Sequence, residues 1–143
     1  FGRILTLRLD RFRGGRSAFA FENDKKDVMK IKISLGDAVL TATMLDNPTS
    51  RDFLAMMPIT LTLKDYAGTE KVSGLPRKLS TKGAPAGYDP SVGDITLYEP
   101  WGNLAIFYRE FGYASGLIIL GKIDSGVENL SKFDGEATFE HLK

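Results

Sequence analysis

At 143 residues, 43% apolar and 26% charged, the chain has the size and composition of one globular domain with a single core. Its 19 basic and 18 acidic residues leave a formal charge of +1, which argues against the strongly basic surface of a nucleic-acid binder, so no nucleic-acid partner is expected. Cys is absent, and with it disulfides, thiolate metal sites and Cys nucleophiles; the compartment stays open.

The charge is uneven. Residues 1–28 hold five Arg and two Lys against four acidic residues, giving +3, so residues 29–143, with 12 basic and 14 acidic groups, carry −2. Residues 1–28 read as a basic N-terminal extension, native or added as a leader. Arg3, Arg8, Arg11, Arg13 and Arg16 form either an arm for an anionic partner or a solvated face. Ile4 to Leu9 alternates as a strand able to dock on a sheet edge or on a second copy, which would give a homodimer by exchange. No apolar run approaches the roughly 18 residues of a membrane span, and the Arg-interrupted start is not a signal peptide. The expectation is a soluble domain, either cytoplasmic or exported after loss of a signal.

From Lys30, alternation places Ile31, Ile33 and Leu35 on one face of a strand. Gly36-Asp37 turns the chain, and Ala38 to Leu45 returns with both faces expected to be mostly buried. Asn47 is positioned to cap a helix with Pro48 at its first position, Phe53, Met56 and Met57 facing inward, and Pro58 stopping it after about three turns. Ile59 to Leu63 is the next strand. A Gly- and Pro-rich middle follows, with strand fragments near Lys71–Val72 and around Leu79.

Ile95 to Tyr98 and Leu104 to Tyr108 read as strands separated by Glu99–Asn103, and Arg109 to Tyr113 as an exposed hairpin tip. Ser115 to Ile123 is a further strand. Ser125 with Glu128 forms a capping-box pattern that opens a short helix through Leu130, and Ala137 and Phe139 mark a last strand. Many short strands with two short helices predict a mainly β fold, a closed or nearly closed barrel over residues 29–143.

Chemistry is sparse. His141 is the single imidazole, which argues against a Ser-His-Asp triad or a multi-His metal site. The glycines between Gly83 and Gly93 lack phosphate-loop spacing. Asp65, Glu70, Asp89, Asp94 and Glu99 lack a ligand-spaced pattern, so no metal or cofactor is expected. Tyr66, Tyr88, Tyr98, Trp101, Phe107, Tyr108, Phe111 and Tyr113 fall in or beside the loops joining the later strands. They are either packing groups or the lining of a groove for a small molecule or an extended peptide. The groove reading takes Phe107, Trp101, Tyr66, Tyr88 and Tyr113 as walls and Arg51 or Asn103 as polar anchors.

Several of these segments, in order, resemble the cyclophilin-like domain family. Leu120-Gly-Lys-Ile-Asp-Ser-Gly-Val-Glu-Asn-Leu130 is similar to the segment in which a buried strand ends in Phe-Gly-Lys-Val and a Gly-containing turn opens the second helix. Pro48-Thr49 followed by Phe53 resembles the first helix. Gly93-Asp-Ile-Thr-Leu-Tyr98 and Gly102-Asn-Leu-Ala-Ile-Phe107 resemble the two central strands. The wording of Asp46–Phe53, Asp65–Lys71, Gly87–Pro90 and Pro100–Asn103 is similar to a small bacterial branch of cyclophilin-like proteins of unestablished activity.

The resemblance implies a cyclophilin-like closed β-barrel with two short helices, over roughly residues 30 to 140. It carries over little of the isomerase machinery. The Arg that isomerases place within Phe-His-Arg-Ile-Ile has no match in Ile59-Thr-Leu-Thr-Leu63, the substrate-facing His falls at Leu117 and the Gln at Ala105, and only Phe107 remains as a wall of the proline pocket. An amide rotation barrier of ~18–20 kcal/mol is lowered by electrostatics, which a Phe wall does not supply. Arg51 and Arg77 are the candidates to replace the lost cation. The expected function is a non-catalytic binding domain, the alternative a weak or divergent peptidyl-prolyl isomerase.

Overall fold

A computed structural model describes residues 29–142; the strand and the exchanged edge expected within residues 1–28 lie outside the described residues. Period-two alternation is realised as eight antiparallel strands that close a barrel. Their order is β1 (Lys30–Leu35), β10 (Gly135–His141), β3 (Ile59–Tyr66), β4 (Glu70–Gly74), β7 (Asn103–Phe107), β6 (Asp94–Tyr98), β9 (Leu117–Ser125) and β2 (Ala38–Met44). Closure pairs the edges that an open sheet would expose. Two short strands, β5 (Gly87–Tyr88) and β8 (Ala114–Ser115), form a separate ribbon.

Register interlocks the inward positions. Ile33 stands between Leu40 and Phe139, Ala137 pairs with Leu61, and Leu97 pairs with Leu104; all seven are buried. The helix α1 (Pro48–Leu54) starts as its residues dictate: Asn47 Oδ1 accepts from the Ser50 amide at 2.8 Å, and Asn47 Nδ2 donates to the Ile119 carbonyl at 3.0 Å, tying the cap to β9. Its Phe53 is fully buried and meets Phe139 edge-on, with ring centroids 5.7 Å apart, so α1 packs onto the barrel core.

The structure differs from expectation in five places. β2 buries one face only, because its odd-numbered side chains point away from the barrel with no layer over them, leaving Val39 and Leu45 exposed. α1 ends at Leu54, about two turns long. Met56 and Met57 sit half-buried in the turn before Pro58, whose ring disfavours a helical residue ahead of it. The helix expected through Leu130 is a 3-10 turn, Val127–Asn129, entered from Gly126 at φ 93°; Ser125 stays in β9, where its hydroxyl meets that of Thr41 at 2.8 Å instead of capping. Leu79 is buried in irregular chain and not in a strand, and Arg109–Tyr113 is an exposed loop leading to β8, which pairs with β5 and not with β7.

Candidate functional site

Strands β4, β6 and β7 are covered on both faces, and the site lies on the outer one. Three cross-strand rows compose that face. Tyr66, Glu70 and Phe107 align across β3, β4 and β7; Val72 pairs with Ala105; and Asn103, Tyr98 and Leu117 align across β7, β6 and β9. Tyr88 and Ala114, from the β5–β8 ribbon, pack against the buried cluster of Ala105, Phe107 and Leu117. Between these layers a cavity of about 460 Å³ remains, lined by Tyr66, Glu70, Val72, Tyr98, Trp101, Asn103, Phe107, Phe111, Ala114 and Leu117. That volume falls within the range of small-molecule sites.

The aromatic walls meet at steep angles. Trp101 contacts Tyr98 and Tyr66 edge-on, at centroid distances of 5.3 and 6.1 Å and interplanar angles of 84° and 81°. Phe111 tilts over Phe107 at 5.9 Å. Phe107 is buried while Trp101 is 68% exposed, so Phe107 forms the floor and Trp101 the rim. Trp101 is held by its loop. Gly116, at φ 81°, is so close to Pro100 that a Cβ there would lie 2.6 Å from the proline Cδ, and the Glu99 amide donates to the Gly116 carbonyl at 2.8 Å.

Besides the Tyr hydroxyls and the Trp indole N–H, a carboxyl and an amide break the apolar lining. Glu70 is 8% exposed, and among the described residues no side chain donates to its carboxyl; burial, with the Asp65 charge second, pushes it up to about 7. Asn103 directs Nδ2 to the Leu104 carbonyl at 3.1 Å, which fixes the amide orientation and leaves Oδ1 buried without a donor. Both groups offer acceptors, and among the described residues no Lys, Arg or His lines the cavity.

Of the residues predicted as a site, Phe107, Trp101, Tyr66 and Asn103 line this cavity together. Tyr88 stands behind the wall: its hydroxyl donates to Asp94 at 2.8 Å, and burial first, then that bond, pushes it up to about 12. Tyr113 is exposed and lies over Gly87 on the ribbon. Arg51 projects from α1 into an ion pair with Asp46, and Arg77 bonds Asp52 at 3.3 Å; neither lines the cavity. That Arg77 bond, with the Ser80 amide next, holds the Asp52 carboxyl below its ordinary value.

Two further polar clusters brace the frame. Asp94, buried on β6, accepts from the Tyr88 hydroxyl and the Ser91 amide, both at 2.8 Å, and from Lys122 Nζ at 3.2 Å, clamping the ribbon to the barrel. Lys71 points into the barrel end with 1% of its side chain exposed, between Asp65 at 3.4 Å and Asp134 at 3.3 Å. The Tyr108 hydroxyl donates to Asp65, holding that carboxyl below its ordinary value and raising the phenol. Among the described residues no three His, Cys, Asp or Glu side chains converge as a metal site, and no helix is long and apolar enough to cross a membrane.

Sequence reasoning missed Glu70, which reads as one of several loop carboxylates until the register places it between Tyr66 and Phe107. Tyr98 and Phe111 were recognised as aromatic but not assigned to the wall. Val72, Ala114 and Leu117 complete the lining and carry no individual signal.

A model of the cyclophilin-like family matches residues 33–140. The solution structure of a hypothetical protein from Archaeoglobus fulgidus is similar with a TM-score of 0.59 at 16% identity, covering 82% of this chain and 97% of that one, a likeness that shows the fold alone. No curated protein matches the sequence.

Proposed function

The chain belongs to the cyclophilin-like family, and on that premise we propose that it is a non-catalytic binding domain that takes a small, largely apolar molecule into the cavity on the outer face of the barrel. The observation that carries this reading is an apolar, aromatic-walled space of about 460 Å³ that holds the largely buried Glu70 and a buried Asn103 Oδ1 to which no group donates among the described residues. A buried acceptor without a partner costs free energy, and a ligand that supplies a donor to the Asn103 Oδ1 recovers it. A rim formed by one exposed Trp over a closed floor suits a compact molecule better than an extended peptide, which needs a groove open at both ends.

The competing reading is a divergent prolyl isomerase. Phe107 would suit a proline ring, but among the described residues the cavity lining holds no guanidinium to polarise the prolyl amide. Trp101 is the single Trp, so its emission reports occupancy of the rim. Saturable quenching or shift by members of a panel of small aromatic compounds is expected, with no acceleration of prolyl-peptide isomerisation in a coupled-proteolysis assay. Flat emission across the panel, or an isomerisation rate above the uncatalysed one, would overturn the proposal.

A further inference from the structure

Besides the Tyr66 and Tyr98 hydroxyls and the Trp101 indole N–H, the polar side chains of the cavity are Glu70 and Asn103. Glu70 contributes a carboxyl and Asn103 a free Oδ1, whereas the Asn103 Nδ2 is already committed to a carbonyl. Among the described residues no cationic side chain faces Glu70 from the lining. Lys71, its chain neighbour, points to the other side of the strand, where Asp65 and Asp134 hold it. Around these acceptors stand Tyr66, Tyr98, Trp101 and Phe107, with Trp101 near perpendicular to both tyrosines. Aromatic faces set at right angles beside a carboxylate attract an organic cation through the ring quadrupoles and the counter-charge together. An anionic ligand would meet the Glu70 carboxyl and, among the described residues, no cationic side chain.

From this we infer that the occupant of the cavity is a compact organic cation, an arylalkyl amine or quaternary ammonium, with Glu70 as its counter-ion, the Asn103 Oδ1 accepting from its N–H where it has one, and Tyr66, Tyr98 and Trp101 enclosing its charge. The inference rests on the small-molecule reading of the cavity and adds the ligand's chemical class. It has a proton-linked consequence. Burial holds the Glu70 carboxyl near neutrality in the empty site, and a bound cation favours its ionised form, so binding releases a proton and strengthens as pH rises from 6 to 8. The other titratable groups at the site are Tyr66 and Tyr98 in the lining, Asp65 on β3, which adds negative charge beside Glu70, and Lys71 behind it.

The test is titration calorimetry of the full chain with 2-phenylethylamine, tryptamine and benzyltrimethylammonium, each against its uncharged counterpart: 2-phenylethanol, tryptophol and neopentylbenzene. The expected result is that at least one cation binds tenfold or more tightly than its counterpart, that Glu70→Gln brings the two affinities within twofold of each other, and that proton release appears in buffers of different ionisation enthalpy. Equal affinity of cations and neutral isosteres, with Glu70→Gln unchanged, would overturn the cation and leave the cavity a neutral-ligand site. Silence from all six compounds, with Trp101 emission flat, would overturn both the cation and the cavity reading. Since a melting curve for Glu70→Gln establishes that the variant is folded, a lost preference cannot be ascribed to unfolding.

Discussion

Glu70 and Phe107 face each other directly across the β4–β7 pair, so a buried carboxyl and a phenyl ring are neighbours on the outer wall of the barrel. A carboxylate beside an apolar ring is poorly solvated, and this juxtaposition contributes to the burial that raises the Glu70 carboxyl.

Glu70→Gln should stabilise the protein in a pH-dependent manner. The carboxyl is raised in the fold from its ordinary value to about 7, so the folded state binds the proton more tightly than the unfolded chain. Stability is therefore greatest below the ordinary Glu range and declines as pH rises toward 7, after which the full cost of the buried charge is present. In urea melts the variant should match the parent at pH 4 and exceed it at pH 8 by about 1–2 kcal/mol. A parent that gains stability relative to the variant between pH 5 and 8 would contradict the assignment.

Asp94 should be the most sensitive polar residue of the frame. Asp94→Ala strands the Tyr88 hydroxyl, the Ser91 amide and Lys122 and should cost about 3 kcal/mol, whereas Tyr88→Phe removes one of three donors and should cost about 1 kcal/mol. Denaturant midpoints at constant slope decide it, and equal losses for the two would show that the bonds are not shared as described.

At Lys71, shape should matter more than charge. Its partners, Asp65 and Asp134, are 38% and 69% exposed and can be hydrated when the ammonium is gone. Lys71→Met, which keeps the buried stem, should stay within about 1 kcal/mol, while Lys71→Ala leaves a cavity at the barrel end and should cost about 2–3 kcal/mol. The reverse order in thermal melts would mean that the ion pairs dominate.

Gly116→Ala should displace the rim. Its Cβ would collide with Pro100, and the positive φ adds backbone strain. A loss of about 1–3 kcal/mol is expected together with a change in Trp101 emission before any ligand is added. Unaltered emission at unaltered stability would show that the Pro100–Trp101 loop is not held by this contact.

The barrel was legible because its signals are local. Alternation at Ile31, Ile33 and Leu35, the turn at Gly36, and the Asn47-Pro48 start each follow from neighbours in the chain. The failures have a common cause in tertiary competition. Ser125 has the pattern of a cap, yet pairing of β9 with β2 gives its hydroxyl to Thr41. Half the cavity was also readable, since large aromatics cluster near strand ends. Glu70 was not, because only the register of the β3–β4 hairpin together with the pairing of β4 to the distant β7 sets it beside both Tyr66 and Phe107.

The most direct measurement is amide and indole chemical-shift mapping of isotope-labelled protein during titration with 2-phenylethylamine, tryptamine and benzyltrimethylammonium. The account predicts saturable shifts concentrated at the Trp101 indole and at Tyr66, Glu70, Asn103 and Phe107, with α1 and β1 unmoved. Shifts centred elsewhere on the barrel, or none for any compound at millimolar concentration, would contradict it.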